Sequence, residues 1–280
     1  MVKNLREKTG AGFGECKKAL VTSDGDVEKA IEILRKKGAA SAAKRSEKSA
    51  KEGIVAARIS ADEKTGILVE VNCETDFVAK NEGFVAFVDA VLKAYLENDV
   101  KDVPELLKLK VGNDTVEDLY NGILAKFSEK IEIRRIFKLK TAGFVSVYNH
   151  FNKNLAVLVE ASVAADAVAG DKEHEAIHDV AMQIAALNPG WLSRDQVDSE
   201  RINKEVEIYK ELAIKEGKKP EMAERVAQGK LNKFYQDSCL LEQEFSKDTS
   251  MNIAAMLKNT NPELKVVSFT RFFIGEDQKA

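Results

Sequence analysis

Residues 53–79 have the sequence GIVAARISADEKTGILVEVNCETDFVA, and residues 143–169 have the sequence GFVSVYNHFNKNLAVLVEASVAADAVA. With an offset of 90 and no gap, they are identical at eight of 27 positions, whereas ordinary composition gives about two. Both stretches are rich in β-branched residues and lead into apolar residues at helical spacing. The sequence therefore predicts a strand–strand–helix unit used twice, in an α+β fold with a duplicated core of two related subdomains.

Further helices and strands are predicted around each copy. After the first copy, apolar residues recur at helical spacing over 84–95, Thr115 is a suitable N-cap for another helix, and residues 131–139 alternate as in a strand. The chain closes with a predicted helix over 252–257 and a strand over 266–274.

Residues 1–40 are predicted to form a small domain of three short helices. Glycines within 10–14 separate the first helix from the second, and a turn at 24–25 precedes a third helix that ends at Gly38. Residues 41–52 contain no large apolar side chain, so we expect a linker there.

Residues 193–236 predict an antiparallel helical hairpin, a short coiled coil with its turn at 217–220. The expected seam consists of Ile202, Val206, Tyr209 and Ala213 and, on the returning helix, Met222, Val226, Ala227, Leu231 and Phe234. The hairpin is an insertion that divides the second subdomain into 141–192 and 237–280, whereas the first subdomain spans 53–140.

Composition excludes several classes of protein. The 280 residues include 46 acidic and 43 basic side chains, and a net charge of −3 argues against a nucleic-acid binder. No apolar run approaches the ~20 residues that cross a bilayer, and three cysteines are too few for a disulfide framework, so we expect a cytoplasmic protein. Residues 1–52 carry a net charge of +5 and the remainder −8. A basic part of this kind is able to contact nucleic acid or an acidic protein face, but charge alone favours a small helical domain with solvated lysines.

The chain is poor in catalytic motifs. His174, Glu175 and His178 fit the H-E-x-x-H pattern of zinc hydrolases, but a third ligand is not evident, and the two histidines take the places of Phe84 and Val88 in the repeat. The glycine run over 10–14 lacks the spacing of a phosphate-binding loop. We therefore expect no catalytic residue, no metal site and no cofactor. Cys16, Cys73 and Cys239 are expected to be reduced and structural.

Residues 75–80 lie where the first copy turns from strand to helix, and Thr75 or Asp76 could cap that turn. The second copy repeats the Asp, Val and Ala of this segment, which favours a scaffold role for them, but it has Ala167 in place of Phe77. Two interpretations of Phe77 stay open: a locally packed core residue, or an apolar knob presented to a partner.

Six motifs occur along the chain: Thr9-Gly-Ala-Gly, Cys16-Lys-Lys-Ala-Leu20, Gly25-Asp26, Val71-Asn-Cys-Glu-Thr-Asp-Phe-Val-Ala-Lys80, Ile133-Arg-Arg135 and Tyr148-Asn-His150. In their residues and their order they resemble the bacterial translation elongation factor Ts family. The resemblance covers essentially the whole chain. It implies a guanine-nucleotide exchange factor that binds elongation factor Tu, displaces Mg²⁺ and promotes GDP release so that GTP can load. It also implies that residues 1–40 form a ubiquitin-associated (UBA-like) domain.

The resemblance also implies which residues contact the partner. Those of the segment credited with dislodging Mg²⁺ are Asp76, Phe77, Val78, Ala79 and Lys80, and further contacts are His150, Phe13 and Lys17. The chain departs from the family where Gly14 follows Phe13 in place of a frequent methionine pair, and where Phe151 replaces a small residue.

The resemblance also implies what the protein does not do. Exchange requires no covalent chemistry, so the protein is not expected to be an enzyme, and neither nucleic acid nor a membrane is an expected partner. A homodimer or a 2:2 complex through the hairpin or the core is an open alternative. So are an interaction scaffold without exchange activity and the H-E-x-x-H zinc hydrolase.

Overall fold

The structure is a computed structural model that describes residues 1–45, 47–127, 129–164 and 167–276. It comprises two compact units, the first formed by residues 1–140, 149–156 and 272 onward, and the second by residues 141–148 and 157–271. Helices and sheets are both present, which confirms the α+β class. Among the described residues, no helix combines the length and the apolar character needed to span a membrane.

The first unit begins with the three predicted helices. They are α1 (Val2–Thr9), α2 (Phe13–Thr22) and α3 (Val27–Lys44). Their shared core consists of small and medium apolar side chains: Leu5, Ala11, Cys16, Ala19, Leu20, Ala30 and Leu34.

The predicted end of the third helix at Gly38 is wrong. α3 continues through Gly38 to Lys44 and occupies part of the stretch that we expected to be a linker. A Cβ on Gly38 would lie 2.6 Å from the backbone nitrogen of Ala125, so the glycine permits a close approach between helices instead of ending one.

The sheet of the first unit follows, with its covering helices. The elements are β1 (Glu52–Ile59), β2 (Thr65–Cys73), α4 (Asp76–Ala79), α5 (Glu82–Glu97), α6 (Val103–Leu107), β3 (Lys110–Val111), β4 (Asp114–Thr115), α7 (Val116–Lys126) and β5 (Ile131–Lys140). The strand order is β1-β2-β5, and β2 pairs antiparallel with both neighbours. Thr115 caps α7 in a capping box with Asp118, which confirms the predicted N-cap.

A buried ion pair holds β2 in register. Glu70 is fully buried beside a bulge in the β2–β5 pairing, and its carboxylate binds the guanidinium of Arg135 on β5. It also accepts a hydrogen bond from the backbone nitrogen of Gly275 (2.9 Å), while Arg135 donates to the carbonyl oxygen of Phe273 (3.1 Å). Because a buried carboxylate must be paired, these contacts fix β2 against β5 and residues 273–275.

The second unit repeats this plan. Its elements are β6 (Phe144–Asn149), β7 (Leu155–Ser162), α8 (Asp171–Leu187), α9 (Ser199–Lys215), α10 (Pro220–Ser238), β8 (Glu244–Phe245), β9 (Asp248–Asn252), α11 (Ile253–Thr260) and β10 (Lys265–Phe273). The sheet order β6-β7-β10 matches β1-β2-β5, with the second strand of each copy in the centre. The duplication therefore extends to a third strand that the sequence overlay did not include.

A pair of glycines has the same structural role in both copies. A Cβ on Gly53 would overlap the carbonyl oxygen of Val71, and a Cβ on Gly143 would overlap that of Ala161. Both glycines and both carbonyls are related by the offset of 90. Each first strand therefore needs glycine at this position to approach its neighbour.

The helical hairpin is formed by α9 and α10, with its turn before Pro220 as predicted. The predicted seam is confirmed on the returning helix at Ala227 and Leu231, which are buried, and is wrong at Met222, which is exposed. Ala223 and Tyr235 are buried there as well, although the seam did not include them. Phe234 and Tyr235 both fit a helical apolar stripe, so periodicity cannot distinguish which of the two is more deeply buried.

Replacing Glu70 with alanine should destabilise the protein by about 3–5 kcal/mol, because the guanidinium of Arg135, whose side chain is 10% exposed, would lose its buried counter-charge. Urea unfolding monitored by circular dichroism measures this loss.

The matched control is Glu160→Ala, at the corresponding position of the second copy. Glu160 accepts a hydrogen bond from the hydroxyl of Ser268 (2.7 Å), and its removal should cost about 1 kcal/mol. Equal losses for the two variants would contradict a special role for the Glu70 ion pair.

Candidate functional site

The segment from Asp76 to Lys80 forms a tip at the end of β2. Residues 76–79 make the single turn α4, and α5 begins three residues later at Glu82. Phe77 is 82% exposed, whereas the next residue, Val78, is 6% exposed and belongs to the core of the unit. Of the two open interpretations of Phe77, the exposed apolar knob is the one that agrees with its position.

The charged residues of the tip pair with each other. Lys80 Nζ lies 2.6 Å from Asp76 Oδ2, one helical turn away. The hydrogen bond from Lys80 lowers the pKa of Asp76, and the same contact raises the pKa of Lys80. Both side chains are exposed, so the tip presents an apolar ring flanked by one negative and one positive charge.

Glu129 holds the backbone that leads into the tip. Its carboxylate accepts hydrogen bonds from the backbone nitrogens of Glu74 (3.1 Å) and Thr75 (3.0 Å) and from the Thr75 hydroxyl (2.6 Å). Thr75 occupies the N-cap position of α4, but its hydroxyl donates to Glu129. The expected capping role of the Thr75 side chain is therefore replaced by a contact with a residue 54 positions away.

Glu74 makes the reciprocal contact. Its carboxylate accepts from the backbone nitrogen of Lys130 (2.6 Å) and binds the guanidinium of Arg45 through two hydrogen bonds of 2.8 Å. The Arg45 contact, followed by the Lys130 amide, lowers the pKa of Glu74 to about 2. Sequence reasoning missed Arg45, Glu74 and Glu129, because nothing local marks them as partners.

The described residues of the second copy differ from the tip. Ala165 and Asp166 lie outside the described residues, so the equivalence of Asp166 with Asp76 stays a prediction. Val168 is 95% exposed, whereas its equivalent Val78 is buried. The shared valine is therefore not common scaffold, because residues 167–170 form a loop before α8, where none of the described residues covers the side chain.

His150 begins the turn between β6 and β7. Its backbone nitrogen donates to the carbonyl oxygen of Leu155 (2.9 Å), and its carbonyl oxygen accepts from the nitrogen of Lys153 (2.9 Å). The half-buried imidazole lies 4.5 Å from the ring of Phe151, which is 87% exposed. The sequence marked Phe151 only as a departure from the family, yet it is a large apolar side chain in solvent.

The His150 turn is attached to strand β1. The backbone nitrogen of Val55 donates to the carbonyl oxygen of Lys153 (2.8 Å). The amide side chain of Asn149 accepts from the backbone nitrogen of Ala57 (2.7 Å) and donates to its carbonyl oxygen (3.1 Å). The turn is thus fixed by hydrogen bonds to regular structure.

Phe13 and Lys17 lie on one exposed face of α2. Phe13 is 59% exposed and Lys17 is also exposed. Val21 follows at the same four-residue spacing and is 71% exposed, so these side chains form a stripe along the helix. The sequence motif did not include Val21.

The H-E-x-x-H residues pack against aromatic rings. The His174 ring lies 4.8 Å from that of Phe144, and its Nδ1 lies 2.8 Å from the carbonyl oxygen of Gly170. The His178 ring lies 6.1 Å from that of Tyr148. These are helix–strand packing contacts, and across the described ranges no group of three or more His, Cys, Asp and Glu side chains is arranged to hold a metal ion.

The cysteines are buried thiols. Cys16, Cys73 and Cys239 are all free and buried. Burial raises the pKa of Cys73 to about 12 and that of Cys239 to about 11, which makes both thiols poor nucleophiles.

Comparison with known proteins identifies one family. The family model described as Elongation factor TS matches residues 74–276, which include the tip and His150. The chain is 43% identical to elongation factor Ts of Chloroherpeton thalassium, over 98% of this chain and 97% of the relative. It is 44% identical to elongation factor Ts of Clostridium botulinum, over 98% of this chain and 92% of that relative. The protein from Chlorobaculum tepidum is 42% identical, with shares of 98% and 97%.

The contact between Glu74 and Arg45 predicts a pH-dependent contribution to stability. Since the pKa of Glu74 is lowered from 4.5 to about 2 on folding, its contribution is complete above about pH 4.5 and is lost as the pH falls toward 2. The loss of stability between about pH 5 and pH 2 should therefore be smaller in Glu74→Gln than in the unsubstituted chain. Urea unfolding at the two pH values measures the difference. Arg45→Gln should reduce the loss in the same direction, and an unchanged loss in both variants would contradict the assignment.

Proposed function

The chain belongs to the elongation factor Ts family, and from this premise we propose that it is a guanine-nucleotide exchange factor for elongation factor Tu. In the proposed reaction it binds the GDP-bound GTPase, displaces Mg²⁺ and promotes release of GDP, so that GTP can load. The chain forms no covalent bond with its partner and acts by contact alone. We accordingly propose that it is not an enzyme in the chemical sense.

The observation that carries the proposal is the exposure of Phe77 on a braced backbone. An exposed phenylalanine ring forgoes about 1.5–3 kcal/mol of burial, so a large ring that is 82% exposed favours a partner that covers it. Apolar anchors of this kind contribute most of the binding energy in many interfaces.

The proposed mechanism is mechanical. A GTPase holds its nucleotide partly through Mg²⁺, which requires nearly ideal octahedral geometry. A ring inserted beside the metal-binding segments displaces their oxygen ligands. Asp76, Ala79 and Lys80 complete the inserted tip, and the buried Val78 anchors it to the core of the unit. The chain then binds the nucleotide-free partner more tightly than the GDP-bound one. GDP and the chain therefore weaken each other's binding to the partner by the same ratio.

We propose two further contact regions within the first unit. One is the turn at His150, where the exposed ring of Phe151 enlarges the apolar surface. The other is the α2 stripe of Phe13, Lys17 and Val21, on the part of the chain with a net positive charge. The exposure of an apolar side chain in each region supports this assignment.

We propose the following domain organisation. Residues 1–40 are a UBA-like domain, and 41–52 connect it to the core, with α3 continuing into this segment as far as Lys44. Residues 53–140 are the first core subdomain, and 141–192 with 237–280 the second. The insertion 193–236 is a coiled-coil hairpin, supported by interhelical ion pairs such as Lys210–Glu224 (2.5 Å).

The same reasoning extends to partners and location. We propose a cytoplasmic protein whose partner is elongation factor Tu and which binds neither nucleic acid nor membranes directly. Self-association through the hairpin or the core, as a homodimer or a 2:2 complex, is a separate proposal that sedimentation of the free chain and of the complex distinguishes.

Release of fluorescent GDP from elongation factor Tu tests the proposed function. Stopped-flow mixing with the chain should accelerate release, and the two proteins should co-purify in a complex that excess GDP with Mg²⁺ dissociates. Co-purification without acceleration would favour a scaffold and contradict exchange.

Phe77→Ala should slow factor-stimulated GDP release by at least about tenfold at saturating factor, while overall binding weakens much less. The reason is that the ring acts at the metal-binding side, whereas the remaining contacts preserve the complex. Stopped-flow titration separates the maximal rate from the half-saturating concentration.

Two variants serve as comparisons for Phe77→Ala. His150→Ala should cause a smaller loss of rate, because its ring is half-buried against Phe151. Val168→Ala removes a side chain that is 95% exposed but lies outside the proposed contact regions, so it should leave the rate unchanged. An unchanged rate in Phe77→Ala would contradict its role, and a larger loss in His150→Ala would reverse the ranking.

A further inference from the structure

We infer that Glu129 is a positioning residue for exchange, since it braces the backbone that presents Phe77. This inference rests on the proposed exchange function and adds a residue that lies outside the tip itself. Glu129 is half-buried, and its carboxylate faces the chain between β2 and α4.

Glu129 accepts hydrogen bonds from two backbone amides that have no acceptor in β2 or α4. β2 ends at Cys73 and α4 begins at Asp76, so the amides of Glu74 and Thr75 lie between a strand ladder and a helical turn. A single carboxylate accepts from both amides and from the Thr75 hydroxyl. Hydrogen bonds to an ionised acceptor are stronger than those between neutral groups, so this junction is held firmly.

The contact is reciprocal, which distinguishes it from a lone surface hydrogen bond. The amide of Glu74 donates to the carboxylate of Glu129, and the amide of Lys130 donates to the carboxylate of Glu74. Arg45 binds Glu74 from a third segment of the chain. Two backbone segments more than fifty residues apart in the sequence therefore fix each other directly before the tip.

A brace is needed because the exposed ring of Phe77, on a short turn, could adopt another conformation in which it is buried. α4 is only four residues long, so it has little stability of its own, and an unbraced turn could let Phe77 fold onto the surface of the same chain. A fixed junction reduces that alternative and keeps the ring oriented before the partner arrives.

The test compares Glu129→Ala with Glu129→Gln. Alanine removes every acceptor, and the rate of GDP release at saturating factor should fall about tenfold. Glutamine keeps one carbonyl oxygen for the two amides and can donate to the Thr75 hydroxyl oxygen, so its rate should stay within about twofold of the unsubstituted chain. Thr75→Val, which removes one donor only, provides a milder variant if Glu129→Ala does not fold. Glu97→Ala, at an exposed carboxylate of the same unit, is the matched control.

Hydrogen–deuterium exchange of the free protein gives a readout that does not depend on activity. The amides of residues 74 and 75 should lose protection in Glu129→Ala, keep it in Glu129→Gln, and be unchanged in Glu97→Ala. The thermal midpoint of each variant shows whether the whole unit or only the junction has changed.

The outcomes separate the inference from the proposed function. A slow Ala variant, a nearly normal Gln variant and protection that follows the same order support the brace. Equal rates in Ala and the unsubstituted chain, equal impairment in Ala and Gln, or unchanged protection in Ala would overturn it. If the unsubstituted chain does not accelerate GDP release, the proposed function fails, whereas the protection pattern still decides whether Glu129 braces the tip.

Discussion

The buried carboxylate of Glu70 is the constraint on which the rest of the first unit depends. A charge in the centre of a sheet has to be paired, and Arg135, the amide of Gly275 and, at 3.6 Å, Arg134 pair it. These contacts stabilise the observed register between β2 and β5, in which Glu70 lies opposite Arg135. Since the tip directly follows β2 in the chain, the register of β2 determines the position of the tip.

A second pair of carboxylates, those of Glu74 and Glu129, fixes the chain between β2 and the tip. Glu74 and Glu129 each accept backbone hydrogen bonds from the other's segment, so the chain leaves β2 in a defined direction. An apolar ring can then remain in solvent without collapsing onto its own surface. In the proposed exchange function, this projecting ring takes the place that a catalytic group has in an enzyme.

The duplication shows how one copy can gain a site while both keep the fold. The two sheets share their strand order and their close approaches at Gly53 and Gly143, which are requirements of backbone packing. They differ in the segment after the second strand, where Val78 is buried and Val168 is exposed. Identity at a position therefore preserved the backbone of the sheet but not the environment of every side chain.

The amino-acid sequence predicts the features that depend on residues close together in the chain: the paired strands, the helical hairpin, the capped helix at Thr115 and the motif around Phe77. It does not show whether Phe77 is exposed, that α3 passes through Gly38, that Tyr235 is more deeply buried than Phe234, or that Glu129 braces the tip. Periodicity and turn residues report on local geometry, whereas these four features depend on what lies opposite a side chain. Only the tertiary structure decides that, because it brings together residues such as Thr75 and Glu129, which no local pattern connects.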